Sequence, residues 1–101
     1  MKYKVLLKEE AKTDLGSAFQ WYETKQEGLG LRFLTELENS IKILEKEPHI
    51  FQIRANSLRY CHLNRFPYVL VYEIENQDIV IYAVFHTHQN PVRIDVRKDI
   101  L

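Results

Sequence analysis

The feature that most constrains this chain is a change of hydrophobic period near its middle. From Ala11 to Pro48 apolar residues recur every three or four positions, and after it they alternate or run continuously. A period near 3.6 buries one stripe of a helix, whereas a period of two buries one face of a strand. Ala11, Leu15, Ala18, Phe19 and Tyr22 form one helical stripe, and Phe33, Leu34, Leu37, Ile41 and Leu44 form a second over Leu31 to Lys46. Glu27 to Gly30, with two glycines in three residues, breaks the pattern between them, and so short a turn predicts an antiparallel helical hairpin. Glu36 and Glu38 are expected to face away from the second stripe, and Pro48 marks a point by which that helix has ended.

Strand patterns flank the hairpin. Tyr3 to Lys8 places Tyr3, Val5 and Leu7 on one side and Lys4 and Lys8 on the other. Leu58 to Phe66 alternates imperfectly, Tyr68 to Ile74 and Asp78 to Phe85 are strong strands, and Glu75 to Gln77 is the turn between the last two. Pro67 belongs at a strand edge or start, because it has no N–H for a ladder. The expected fold class is α+β, in the order β-αα-βββ. It is a mostly antiparallel sheet with the helical hairpin packed on one face, in a single domain over residues 1–101.

Charge narrows the function classes. The chain carries 14 Lys+Arg and 14 Asp+Glu, so it lacks the basic excess that phosphate neutralisation usually demands. Direct high-affinity binding to nucleic acid is not expected. Five arginines (54, 59, 65, 93 and 97) lie in the second half, where planar, bidentate contacts to an acidic partner become available. No apolar run approaches a membrane span, and the start, MKYKVLLKEEAK, lacks the h-region and cleavage site of a signal peptide. With a lone Cys61, the expectation is a cytoplasmic protein without disulfides or cofactors.

Several residues are candidate sites. His86 and His88, two apart, point the same way if extended, which would suit two metal ligands. A zinc site needs a third or fourth, and the nearest candidates, Cys61 and His62, point to opposite faces, so no metal is expected. Arg59, Cys61, Leu63 and Arg65 share a face if their strand is regular. They form either an anion-binding stripe joined by Arg93 and Arg97, or cross-strand pairs with Glu73 and Glu75. The two readings stand level for Arg65, and pairing is preferred for Arg59. Tyr22 continues the apolar stripe, whereas Trp21 falls off it and is a candidate partner anchor. Cys61 reads as a small buried residue.

Four stretches together resemble one family: WYE, GLGLRFLTEL, RFPYVLVY and AVFH. In this order they are similar to the RelE/ParE superfamily of type II toxin–antitoxin toxins, often called plasmid stabilisation proteins, and closer to the ParE-type branch. The resemblance implies a β-αα-βββ toxin neutralised by a cognate antitoxin, with DNA gyrase or the ribosome as target. Under it, Arg65, His86, His88, Arg93 and Arg97 would face the target, and Trp21 and Arg59 the antitoxin. RelE-type nucleases would carry an arginine where this chain has Val69, to stabilise charge on the scissile phosphate. Its replacement by valine favours the gyrase inhibitor that acts by binding over an mRNA endoribonuclease, for which His86 and Arg65 would be the catalytic candidates. The C-terminal pattern also departs from the branch: Gln89 stands in an arginine slot and Ile94 in a tryptophan slot. A degenerate toxin that keeps only antitoxin binding is therefore a third reading.

Overall fold

The structure, a computed structural model, describes residues 3–88. Strand β1 (Lys4–Leu7) leads into helix α1 (Glu9–Lys25) and helix α2 (Leu29–Lys46). A short 3-10 turn at Pro48–Ile50 follows, then β2 (Ile53–Ala55), β3 (Leu58–His62), β4 (Tyr68–Glu75) and β5 (Asp78–His86). The strands form one five-stranded sheet in the order β1-β5-β4-β3-β2, with β1 parallel to β5 and the other neighbours antiparallel. The α+β class and the helical hairpin follow from the two periods. Strand β2 adds a short outer strand that three residues were too few to signal. It turns into β3 through Asn56 and Ser57, both with positive φ, as a tight two-residue hairpin requires.

The hairpin turn is tighter than its two glycines suggested. Only Gly28 adopts a positive φ, 86°, and α2 begins directly after it, two residues before Leu31. Gly30 lies inside the helix, where a Cβ would stand 2.8 Å from the Phe19 ring and 2.9 Å from Glu23 Cγ. A hydrogen atom here lets the two helices approach. The Glu23 carboxylate accepts from the Gly28 and Gly30 N–H groups at 3.3 and 2.8 Å, so α1 caps the start of α2.

Both helices pack on one face of the sheet. There Ala11, Ala18, Tyr22, Phe33, Leu37 and Leu44 meet Cys61, Leu70, Tyr72, Ile79, Ile81 and Val84. The Tyr72 hydroxyl reaches through this core to donate to the Pro48 carbonyl, tying β4 to the 3-10 turn. Burial pushes the Tyr72 hydroxyl and the Cys61 thiol upward, the latter to about 11, as expected of a cysteine that packs rather than reacts.

Two expectations are corrected. The strand expected over Leu58 to Phe66 ends at His62, because Arg65 takes a left-handed backbone with φ 70° and the chain bends toward Pro67. Arg59, Cys61, Leu63 and Arg65 therefore form no continuous stripe. Glu36 does not face away: its side chain is 16% exposed and pairs with Arg65 at 3.9 Å, because the bend brings that arginine over α2.

Strand β5 carries a bulge. Tyr68 to Val71 pair with His86 back to Ala83, but Tyr72 pairs with Ile81, so Tyr82 is an extra residue. An extra residue reverses which side chains face which way beyond it. Before it, Ile79 and Ile81 face the helices and Val80 and Tyr82 the far side; after it, Val84 faces the helices and Ala83 and Phe85 the far side.

Candidate functional site at the end of strand β5

The reversal decides where His86 goes. In a regular strand it would share the far side with Val80 and Tyr82; the bulge turns it to the helix side, beside its pairing partner Tyr68. The two rings meet edge to face at 5.4 Å. Tyr68 continues into an aromatic cluster, 5.1 Å from Phe33 and 5.9 Å from Tyr22, with Phe66 4.9 Å from Tyr22. These rings come from α1, α2 and the stretch that leads into β4, so His86 sits on a platform built from three parts of the fold.

Strand β1 runs out at Leu7, and among the described residues no other strand pairs with the second half of β5 on that side. Asp14 of α1 fills the gap: its Oδ2 accepts from the Val84 N–H at 3.0 Å. The same carboxylate lies close enough to Tyr68 to raise that phenol further after burial has raised it. Asp14 was not singled out in the sequence, yet it stands three residues after Ala11 and four before Ala18. A carboxylate at helical spacing within an apolar stripe is the signal that could have found it.

His86 and His88 do come together, with ring centroids 5.1 Å apart, although the strand ends at His86 and His88 follows in a turn. The His88 N–H donates to His86 Nδ1 at 3.2 Å, which places the proton of a neutral His86 ring on Nε2. Among the described residues no group of three His, Cys, Asp or Glu side chains is placed to hold a metal.

The arginine candidates separate. Arg59 Nη1 donates to the Phe51 carbonyl at 2.6 Å and the His49 carbonyl at 3.3 Å, holding the segment after α2 against β3. Neither it nor Arg65 forms a cross-strand pair with Glu73 or Glu75; Glu73 instead accepts from the Tyr82 hydroxyl at 3.1 Å. Arg65 is 84% exposed at its side chain and lines a cleft of about 430 Å³ with Leu29, Arg32, Thr35, Glu36 and Phe66. Its left-handed backbone at a non-glycine residue is the kind of strain that collects at binding sites. Arg93 and Arg97, like Gln89 and Ile94, lie outside the described residues.

Trp21 is 54% exposed on the outer side of α1. Lys25 lies 4.8 Å above its ring and Tyr22 meets it edge-on at 5.1 Å. A shallow apolar groove beside it is lined by Leu15, Gly16, Phe19, Gln20 and Leu34. Trp21 thus keeps more than half of its surface exposed while Lys25 and Tyr22 hold its ring, which suits an anchor for a partner.

Val69 lies on the opposite side of the sheet from His86, 2% exposed and paired with Phe85. Around it stand Leu58, Val71, Val80, Tyr82 and Ala83, with Tyr60 at the margin. At that margin the Arg54 guanidinium lies 5.6 Å over the Tyr60 ring.

No helix among the described residues is long and apolar enough to cross a membrane. Residues 5–91 match the family model described as the ParE toxin of type II toxin–antitoxin system, parDE. Among solved structures, the chain is similar to one titled chromosomal ParDE TA system from P. aeruginosa. The TM-score is 0.75 at 15% identity, covering 84% of this chain and 96% of that one. It is also similar to a chain of the toxin–antitoxin complex RelBE2 from Mycobacterium tuberculosis. There the TM-score is 0.61 at 24% identity, covering 85% of this chain and 99% of that one. No curated protein matches the sequence.

Proposed function

As this chain belongs to the ParE toxin family of type II toxin–antitoxin systems, we propose that it inhibits DNA gyrase by binding, not by chemistry of its own, and that a cognate antitoxin neutralises it. The observation that carries this reading is the setting of Val69. A nuclease that used this position and His86 together would need a cation at the first and both side chains on one surface. Here the position holds a buried valine in an apolar cluster, and the β5 bulge puts His86 on the other side. Phosphoryl chemistry depends on charge stabilisation at the reacting group. The neutral net charge of the chain also favours a protein partner over an RNA-rich one.

In this reading Trp21 and its groove receive an apolar helix of the antitoxin. Arg65, with its exposed guanidinium, and the His86–His88 corner face the target, joined by Arg93 and Arg97. Action on gyrase places the protein in the cytoplasm.

The test is a supercoiling and cleavage assay with purified gyrase, run beside a translation lysate. Binding-mode inhibition predicts arrested gyrase and intact message. Gyrase left indifferent, with message cleaved in a manner lost in His86→Ala, would replace the proposal with an endoribonuclease. Growth arrest on expression without antitoxin separates both from a degenerate toxin.

A further inference from the structure

The cleft between α2 and the Arg65 bend brings two chemistries into a small space. Leu29 and Phe66 line it with half-buried apolar surface, and Arg32 and Arg65 bring two exposed guanidiniums to it. Leu31, 61% exposed, stands one helical turn from Thr35 and adds apolar surface beside it. The volume of about 430 Å³ falls within the ~300–1,000 Å³ of sites that hold a small group. The wall that carries Arg65 is fixed. Leu63 N–H donates to the Tyr68 carbonyl at 3.0 Å, and Tyr68 N–H donates to the Phe66 carbonyl at 2.8 Å. The charges, however, are unbalanced. Among the described residues Glu36 is the one carboxylate that lines the cleft, against two arginines. Its Oε1 stands 3.9 Å from Arg65 Nη1, beyond the ~2.7–2.9 Å of a charge-assisted hydrogen bond. Arg65 therefore spends no hydrogen bond on Glu36, and Arg32 forms no ion pair among the described residues.

We propose that this cleft recognises an acidic residue of a partner protein. Arg65 takes the partner's aspartate or glutamate carboxylate bidentately beside Arg32, and a neighbouring apolar side chain of the partner lies on Leu29 and Phe66. The planar fork of a guanidinium matches a carboxylate in this way, which a lysine in the same place would not. A nucleic-acid strand fits less well. It brings a phosphate at every nucleotide, each to be neutralised, whereas the cleft holds one surplus positive charge in a chain of zero net charge. A cationic group fits less well still, because it would find only Glu36, with Arg65 already facing it. The proposal rests on the reading above for one point only, that the partner carrying the acid is the target.

The test titrates the full chain, isotopically labelled, with the capped peptide acetyl-Leu-Asp-Leu-amide and follows the arginine side-chain N–H signals by NMR. Saturating shifts at Arg32 and Arg65 are expected at roughly millimolar peptide, as one bidentate contact and one apolar contact allow. The same peptide with asparagine for aspartate should shift neither. Arg65→Asn removes the guanidinium at a residue type that tolerates the left-handed backbone, and should weaken binding about tenfold. Glu36→Gln should tighten binding several-fold, because it removes a competing carboxylate without breaking a hydrogen bond. Unchanged affinity in Arg65→Asn, weaker binding in Glu36→Gln, or an oligothymidylate that outbinds the peptide at these arginines overturns the proposal. So do arginine signals that shift with protein concentration alone, because a second copy would then be the occupant. Purified gyrase keeps the two readings apart. Peptide binding beside indifferent gyrase overturns the target and leaves the cleft standing, whereas arrested gyrase without peptide binding does the reverse.

Discussion

At the scale of single residues, Asp14 and Cys61 carry the sharpest expectations. Asp14 accepts from a β5 amide that lies beyond the end of β1. Asp14→Ala leaves the partly buried Val84 N–H without that acceptor and should cost about 1–3 kcal/mol, read as a lowered Tm. Asp14→Asn keeps an oxygen at the same place and should recover most of the loss. Cys61 gives a pH signature. Its thiol is raised from 9.0 to about 11 by burial, so the folded state holds the proton more tightly than the unfolded chain. The associated stability is complete below pH 9 and is lost as the pH rises toward 11. The Tyr82 hydroxyl, raised from 10.0 to about 12 by burial and then by Glu73, extends the decline. Thermal unfolding followed from pH 8 upward should show falling stability, with a shallower slope between pH 9 and 11 in Cys61→Ala. A flat profile in the unmodified chain would contradict this account.

At the scale of elements, the helical hairpin depends on one close approach. Gly30→Ala must push a methyl group into the Phe19 ring and Glu23, and it also disturbs the carboxylate that caps α2. A loss of roughly 1–3 kcal/mol is expected from this overpacking, visible as a lower denaturant midpoint. The hairpin was legible in the sequence because two long apolar stripes and a glycine break leave few alternatives. Strand β2 was not, since Ile53, Arg54 and Ala55 are too few residues to establish a period. The bulge was hidden for a different reason. Residues 79–85, IVIYAVF, are apolar throughout, so buried faces on both sides erase the alternation that would show an extra residue. The bend at Arg65 was missed because its left-handed backbone sits at a residue type that gives no warning. Consequently the residues of the candidate site could be named, but not the face on which each stands. Val69 was legible as a valine in place of a nuclease arginine, but not its position across the sheet from His86.

At the scale of the molecule, the sheet order places the first described strand against the last, with β1 parallel to β5 at one edge. Lys4 to Leu7 therefore pair with Asp78 to Ile81, contacts closed over almost the full described length. Non-local pairings of this kind require loop closure before they repay it, and they form slowly. The hairpin α1–α2 can form from local contacts, but its buried face needs the sheet beneath it. Nothing translated before Asp78 can give β1 its partner. The folded shape therefore waits on β5, and a message cut short before Asp78 yields a chain that lacks the strand between β1 and β4. The interval between release of the chain and closure of β1 on β5 is the period in which a partner could intercept it unfolded.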